Sequence, residues 1–555
     1  MCGIAGLLYE KDLGRDFSWK EFDQDLNAAL SVRFEDCLKD GLEATFVELF
    51  EKAQGLKEFS AIRQIGGDVA VRGMVELWAR DLTSWEGRVT EYLARDTSLE
   101  SAELENWNRV LVQARDLLWA VREDVLAFLP RLDKLLLDRE RTPERLFQAW
   151  KLVVALENIG RMEVRGRDSC GICCRITVKD PEYKEFLSSW EGEQRIHWET
   201  RQQPNDFVNG TVRVYPVGER VEVLFSYKVA QEVGALGDNV RALYGDIAQD
   251  DYFWNLVSYP SAVSLIYSHS RWASNGIISE PNCHPVDEVT LNEAESAGNL
   301  SSHMTTACVN GDVDNYQALK ARLTSDKKRH ISHNIGTDAK IVPVLFDYHL
   351  SELKSPEAAF CKMVEECEGS FAVVLETTAD PDRLYLALKG SGQSRFVGLM
   401  KEGYVFASEL YGVVEQTPHF IRMEGTREHV PGRADTAGQI LILSRDGQGR
   451  WNRIRALSIT GEEVPLDEKD CRSAEITTRD IDRKDFRHYL HKEISEAPSS
   501  VEKTLQGKFV LSREPFQVRM NLDETVIPRQ IFERLGKGEI KRVLFIGQGT
   551  AAVAG

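Results

Sequence analysis

The pattern of apolar and polar positions changes character along this chain. Gly3-Ile4-Ala5-Gly6-Leu7-Leu8-Tyr9 is an unbroken apolar run ending at Glu10, which predicts a small buried strand at the very start. From about Asp12 to Asp138 the period is helical. Leu111, Leu117, Leu118, Val121, Val125, Leu126 and Leu129 recur at three- and four-residue steps, one face of a helix. Tryptophans 19, 78, 85, 107 and 119 add apolar area, either as the core of this helical stretch or as a docking surface for another subunit. Pro130 is expected to close one helix, and Thr142-Pro143-Glu144 to open another with an N-cap followed by proline in the first turn.

From Cys170 the pattern turns to strands. Gly171 to Val178 is continuously apolar, and Val212–Tyr215 and Val221–Leu224 flank Pro216-Val217-Gly218-Glu219, a hairpin signal. Further strands are expected at Ala262–Ser268, Phe371–Glu376, Leu384–Leu388, Tyr404–Ala407 and Gln439–Leu443, with helices near Tyr316–Leu323 and Asp338–Leu353. Many strands with few helices imply layered sheets covered by helices. Arg479–Phe486 is charged and linker-like, and Arg542-Val543-Leu544-Phe545-Ile546 before Gly547-Gln548-Gly549-Thr550 predicts a buried strand entering a glycine turn, the opening of a parallel α/β domain.

Composition narrows the function classes. The 555 residues are 42% hydrophobic and 28% charged, ordinary globular values, and suggest three or four domains. With 69 Lys+Arg against 88 Asp+Glu the formal charge is −19, and without a basic patch such a surface repels nucleic acid and anionic membranes. No apolar window reaches the roughly 18 residues of a spanning helix, and the N-terminus lacks a basic signal-peptide region. Ten scattered cysteines imply reduced thiols, so the expectation is a soluble cytoplasmic protein. Cys170-Gly171-Ile172-Cys173-Cys174 reads as small buried residues rather than a zinc site, because no second Cys/His pair follows at suitable spacing. His330 and His333 read as a solvated loop, and His284 as a hydrogen-bonding loop residue.

The candidate chemistry starts at Cys2. Removal of Met1 places a nucleophilic thiol and an amine on one residue, and an amine with a pKa of about 7.7–8.0 can take up the thiol's proton. The residues that follow make this specific. Cys2-Gly3-Ile4-Ala5-Gly6 resembles the opening of the class II glutamine amidotransferases, which are N-terminal-nucleophile hydrolases. Arg165-Gly166-Arg167-Asp168-Ser169-Cys170-Gly171 matches their Arg-Gly-x-Asp-Ser-x-Gly turn. Arg271-Trp272-Ala273-Ser274-Asn275-Gly276, Pro281-Asn282-Cys283-His284-Pro285, Asn310-Gly311-Asp312-Val313-Asp314-Asn315-Tyr316 and Gly336-Thr337-Asp338 follow in the family's order.

The resemblance implies roles. Cys2 attacks the glutamine side-chain amide, and the Asn310 side chain and Gly311 N–H receive the oxyanion. Arg271 takes the α-carboxylate, and Asp338 the α-ammonium. Trp272, Ser274 and Asn275 line the pocket, with Asn275 standing where the sugar-aminating branch often has histidine. Arg165 and Gly166 support the nucleophile. No metal or organic cofactor is implied.

Phe486-Arg487-His488-Tyr489-Leu490-His491-Lys492-Glu493-Ile494, Glu368-Gly369-Ser370-Phe371 and Lys389-Gly390-Ser391-Gly392 resemble the branch that aminates fructose 6-phosphate to glucosamine 6-phosphate. The implied fold is α+β, a four-layer α/β/β/α N-terminal-nucleophile sandwich with a large helical insertion, followed by the start of a sugar-isomerase (SIS) α/β domain. The expected divisions are an amidotransferase domain at 1–485 with insertions at about 12–140 and 180–225, a segment at 486–535 opening the isomerase half, and an incomplete SIS domain at 536–555. A buried strand at Arg542–Ile546 has nothing to pair with if the chain stops at Gly555, so the sequence reads as a fragment. Ala551 replaces the family's usual serine, which leaves open a different keto-sugar phosphate or other ammonia acceptor, and a glutamine-binding regulatory module without turnover is the third reading. The implied partners are glutamine and a sugar phosphate, with no nucleic acid, no membrane, and homo-oligomerisation through the isomerase half.

Overall fold

The computed structural model describes residues 2–9, 17–33, 41–95, 101–230, 235–273, 275–291, 303–327, 329–428, 436–483, 486–505, 509–513, 516–520 and 528–544. The chain divides into two compact units, one of Met1–Ser18, Ala53–Glu76 and Trp119–Ile481, the other of Trp19–Lys52, Leu77–Leu118 and Asp482–Gly555.

The first unit mixes helix and sheet. Its strands, in chain order, are β1 (Gly3–Tyr9), β2 (Ser169–Lys179), β3 (Val212–Val217), β4 (Arg220–Val229), β5 (Val263–Arg271), β6 (Val286–Asp287), β7 (Thr305–Val313), β8 (Gly369–Thr377), β9 (Arg383–Lys389), β10 (Phe396–Leu399), β11 (Gly403–Ala407), β12 (His419–Arg422), β13 (Gln439–Ser444), β14 (Arg455–Leu457) and β15 (Cys471–Ser473). Among the described residues they form a nine-stranded sheet, β15-β12-β10-β11-β1-β5-β2-β4-β3, and a six-stranded sheet, β14-β13-β9-β8-β7-β6.

The N-terminal strand therefore lies inside the larger sheet, antiparallel to β11 on one side and β5 on the other. Its unbroken apolar sequence follows from that position. Ile4 and Leu8 join Leu265, Tyr267, Cys308, Val374, Leu386 and Leu441 in a core shared by both sheets. Tyr9, of opposite parity, packs edge-on against Trp150, ring centroids 5.1 Å apart, on the helix Pro143–Met162. The outer face of the smaller sheet, including Val309, Phe371, Val373 and Ile440, is covered by Leu345, Phe346, Phe360 and Val364 of the helices Ile341–Leu353 and Pro356–Glu366.

Local signals hold at several ends. Thr142 caps the helix Pro143–Met162 by accepting from the Arg145 N–H at 3.3 Å, and β3 and β4 form the expected hairpin. The expectation at Pro130 is corrected. The helix Ser101–Trp119 widens into a π-helical turn at Ala120–Val125 and tightens to 3₁₀ at Leu126–Phe128, and Pro130 then sits in the first turn of the helix Leu129–Leu136. Proline suits a first turn because its missing N–H is unsatisfied there anyway.

The helical insertion is shared between the units. Within the first, Lys57 and Asp124 form a buried ion pair at 2.8 Å, and the Thr478 hydroxyl donates to the same carboxylate at 2.8 Å. The second unit has its own core. Trp78, Trp85 and Trp107 are buried there, and the Trp78 indole stacks on Trp19 and donates to Asp23 at 2.7 Å. The same unit holds the helices Tyr489–Leu505 and Arg529–Gly536 and the hairpin Phe509–Arg513/Phe516–Met520. Residues 542–544 form no strand, and Val543 and Leu544 are exposed; residues 545–551 of the expected strand and turn lie outside the described residues.

Candidate active site

The site forms where β1 begins, β5 ends and β7 ends. Cys2 is half-buried immediately before β1. Its sulfur accepts from the Trp272 N–H at 3.3 Å and lies 3.5 Å from the Trp272 carbonyl. Burial pushes the Cys2 thiol up, while the Trp272 N–H, the amino terminus, Arg271 and Arg165 act in the opposite direction.

The segment bearing Trp272 is held by the 165–168 turn. The Asp168 N–H donates to the Arg271 carbonyl at 3.0 Å, and the Asp168 carboxylate accepts from the Ala273 N–H at 2.7 Å. Gly166 permits this approach, since a Cβ there would lie 2.5 Å from the Arg271 carbonyl carbon and 2.6 Å from the Trp272 nitrogen. The Arg165 guanidinium is paired with Glu409.

Asn310, buried near the end of β7, donates from Nδ2 to the Cys2 carbonyl at 3.1 Å and to the Ser408 hydroxyl at 2.7 Å. Ser408 Oγ also accepts from the Ile4 N–H at 2.9 Å, so one hydroxyl ties β1 to the Asn310 amide. Gly311 follows with φ +89°, and a Cβ there would meet the Ser370 carbonyl oxygen at 2.1 Å, so both conformation and space require glycine.

Arg271 is buried at the end of β5, its guanidinium donating to the carbonyls of Asn275, of Gly276 at 3.5 Å and of Ile277 at 3.2 Å. A guanidinium has five N–H donors, so these carbonyls leave capacity for a carboxylate. Burial lowers the Arg271 pKa, and Cys283, Cys2, Asp338 and Asp168 oppose it. Asp338 opens a 3₁₀ turn and accepts from the Val313 N–H at 2.8 Å. Burial raises its carboxyl pKa, and the Val313 N–H draws it back. The preceding turn is pinned by Asn282, whose Oδ1 accepts from the N–H groups of Gly336 at 2.7 Å and Thr337 at 2.9 Å.

Of the remaining candidates, Trp272 is 55% exposed and forms a rim. Asn275 is exposed and donates to Asp312 at 3.3 Å. Ser274 lies outside the described residues. Behind the site, His269 and His284 pack against each other with ring centroids 4.1 Å apart and ring planes inclined by 31°. His269 bonds to the Val309 carbonyl at 3.1 Å, and burial beside Arg271 lowers its pKa to about 3. His284 is lowered by burial, His269, Arg271 and Lys228, so both rings are neutral.

Ser408, Glu409 and His269 escaped the sequence reading, whereas His284, read there as a hydrogen-bonding loop residue, bonds to the Thr337 hydroxyl at 3.3 Å and accepts from the Val309 N–H at 3.4 Å. Ser408 and Glu409 follow the strand expected at Tyr404–Ala407, and only the β1–β11 register brings them to the site. Asp168 stood inside a recognised motif without being singled out.

No protein-family model matches the chain. Among curated proteins it is similar to glutamine–fructose-6-phosphate aminotransferases [isomerizing]. That of Staphylococcus epidermidis is 28% identical over 244 residues, 44% of this chain and 34% of the relative. That of Methanothermobacter thermautotrophicus is 24% identical over 307 residues, 55% and 42%, and that of Pseudomonas syringae pv. tomato 27% over 253 residues, 46% and 35%. The chain thus spans about a third to two fifths of the length of these relatives. A solved structure described as the allosteric regulatory enzyme of purine biosynthesis matches with a TM-score of 0.34 and 15% identity, covering 56% of this chain and 46% of that one, too loosely to carry weight. Among the described residues no helix is long and apolar enough to cross a membrane. By sequence, then, this chain resembles the glutamine–fructose-6-phosphate aminotransferases over about half of its own length.

Proposed function

We propose that this chain carries the glutamine-hydrolysing part of a glutamine-dependent amidotransferase, with Cys2 as nucleophile. The observation that carries the reading is the meeting of Cys2 with the Trp272 N–H and the Asn310 amide, beside Arg271 and Arg165. The similarity to the aminotransferases supports the same chemistry.

With Met1 removed, the Cys2 amine takes the thiol proton and the thiolate adds to the glutamine side-chain carbonyl carbon. Asn310 Nδ2 and the Gly311 N–H receive the resulting oxyanion. One such donor is worth about 3 kcal/mol. An amide has two N–H bonds, and both of Asn310's are engaged, so the bond to the Cys2 carbonyl is the one exchanged for the oxyanion. The ammonium of Cys2 protonates the leaving nitrogen, ammonia departs, and water hydrolyses the γ-glutamyl thioester to glutamate. Arg271 binds the α-carboxylate and Asp338 the α-ammonium, and Trp272, Ser274 and Asn275 line the pocket. Arg165 and Gly166 position the thiol.

In the intact protein the ammonia converts fructose 6-phosphate to glucosamine 6-phosphate. The core shared by the two sheets and the helices on their outer faces support an α/β/β/α N-terminal-nucleophile layering. The unit boundary at Ile481 supports an amidotransferase domain ending near residue 485, with a connecting segment and the start of an SIS domain following. Homo-oligomerisation through the isomerase half and a cytoplasmic setting belong to the same reading.

The test is glutamate and ammonia release from glutamine by the full chain, with intact mass measured in parallel. Loss of Met1, glutamate release, and its abolition in Cys2→Ala with glutamine binding retained are expected. Persistent hydrolysis in Cys2→Ala, or retained Met1 with binding but no turnover, overturns it. Incubation with fructose 6-phosphate and other keto-sugar phosphates identifies the acceptor, and amino sugar from another phosphate alone rejects the fructose assignment.

A further inference from the structure

The sheets carry a second concave feature far from Cys2. In the β2–β5 ladder Ser169 lies opposite Arg271, at the Cys2 end, and Thr177 lies opposite Val263, eight residues further along. Eight residues of extended strand span roughly 27 Å. At that far end a cleft of about 730 Å³ opens within the first unit. The end of β2 and the starts of β4 and β5, from the larger sheet, meet there the start of β9 and the end of β13, from the smaller. Its size suits a small organic molecule rather than a bare ion.

The lining has cations with donors to spare. The Arg445 side chain is 12% exposed, and its Nε and Nη1 are shut off from water without a hydrogen-bond partner among the described residues. Its acid neighbour Asp382 stands 3.5 Å from Nε, is itself 56% exposed, and lies 3.7 Å from the Arg220 guanidinium as well. Burial and nearby Arg175 lower the Arg445 pKa to about 10, as expected of a cation short of counter-charge. Arg175, by contrast, is fully engaged by Glu222, Glu376 and the Pro381 carbonyl. That last bond, at 2.6 Å, fixes the turn bearing Asp380 and Asp382, and the Arg445 N–H ties it to β13 through the Asp382 carbonyl at 2.9 Å. The exposed Lys179 ammonium lines the same cleft. Acids are also present: Asp380 accepts from the Tyr385 hydroxyl at 2.5 Å and faces Arg383 at 3.6 Å, and Asp446 accepts from Ser444. A carboxylate has about four acceptor positions, so both keep capacity for further hydroxyl donors.

We propose that this cleft is a second ligand site, which binds a sugar monophosphate. Arg445, Arg220 and Lys179 take the phosphate, and Asp380 and Asp446 accept from the sugar hydroxyls. A guanidinium fork matches phosphate oxygens two at a time, so a guanidinium lacking partners on the wall of a cleft is suited to that group. The interleaved carboxylates repel a polyphosphate or a nucleic-acid backbone, and they add nothing to the binding of a bare anion. A single phosphate carried on a body of hydroxyl donors satisfies both halves of the lining. The site lies at the end of the sheets remote from Cys2, and the proposal holds whether or not Cys2 hydrolyses glutamine.

The experiment titrates the full chain by calorimetry with glucose 6-phosphate, inorganic phosphate and glucose, in wild type and in Arg445→Met, Arg220→Glu and Lys179→Glu. Saturable one-to-one binding of glucose 6-phosphate is expected, with a Kd below about 1 mM that rises with added salt. Inorganic phosphate and glucose are each expected to bind at least roughly tenfold more weakly, because each meets only half of the lining. Each variant is expected to weaken the sugar phosphate by roughly tenfold or more. Arg220 and Lys179 are exposed, so their variants report on binding even where Arg445→Met fails to fold. No saturation by about 10 mM glucose 6-phosphate overturns the proposal. So does an affinity unchanged in Arg220→Glu and Lys179→Glu, which puts the ligand elsewhere. Inorganic phosphate binding as tightly as the sugar phosphate also overturns it, since the carboxylates then take no part.

Discussion

The paired histidines behind Cys2 make stability depend on pH in a defined direction. His269 is fully buried, with its pKa lowered to about 3. Burial is the main cause, and Arg271 and Arg395 add to it, whereas the Val309 carbonyl and Asn310 oppose it. In the unfolded chain the ring titrates near 6.5. A lowered folded pKa means the unfolded state binds the extra proton. The contribution is present above about 6.5, erodes as pH falls, and is fully lost near the folded value. Between pH of about 7 and about 5 the loss is about 2 kcal/mol for this ring. Carboxylates complicate the raw curve. Glu288, pushed up to about 8 by burial, Asp287 and Asp347, gains stability over the same interval. The informative quantity is therefore the difference between wild type and His269→Gln, which keeps an N–H for the Val309 carbonyl and removes the titration. Urea denaturation of both proteins at the two pH values provides it. Wild type is expected to lose about 2 kcal/mol relative to the variant. A difference that stays constant to within about 0.5 kcal/mol would refute the buried neutral assignment.

Other consequences concern single contacts. Ser408→Ala removes the oxygen that accepts from both Ile4 and Asn310, leaving two buried donors at about 1–3 kcal/mol each. A lower denaturation midpoint and a reduced kcat with little change in KM are expected, and wild-type values in both would contradict the junction. Asp124→Ala leaves the Lys57 ammonium buried and is expected to cost about 3–5 kcal/mol in chemical denaturation, most of it recovered in Lys57→Met/Asp124→Ala. Gly311→Ala forces a side chain into the Ser370 carbonyl at a positive φ. It is expected to destabilise the fold measurably, and a soluble variant of wild-type melting temperature would contradict the β7 geometry.

What the sequence disclosed, and what it hid, divides by the range of the interaction. β1, the Thr142 cap and the β3–β4 hairpin are set by a few consecutive residues, and their signals are local. The Gly166 and Gly311 motifs were legible because each glycine answers a close approach that leaves a mark in sequence. Ser408 and Glu409 carry no such mark. Each lies beside a strand end and reaches the site through pairing across hundreds of positions, as in the Ile4–Ser408 bond. The helical insertion was legible as helix from its period, yet its division between two units was not, since the same apolar stripe serves either core. The π-helical turn at Ala120–Val125 keeps Ala120, Val121 and Val125 buried while changing the period, so Pro130 was read as a stop when it lies in the first turn of the next helix.

The central claim is that the Cys2 sulfur, freed of Met1, is the atom that attacks a glutamine side chain held by Arg271 and Asp338. The most direct measurement incubates the full chain with a chloroketone analogue of glutamine and locates the adduct by peptide mass spectrometry, with and without competing glutamine. The account expects a single adduct on Cys2, in a peptide that begins at Cys2, formed more slowly when glutamine is present. Labelling of a different cysteine, or of Cys2 at a rate indifferent to glutamine, would contradict it.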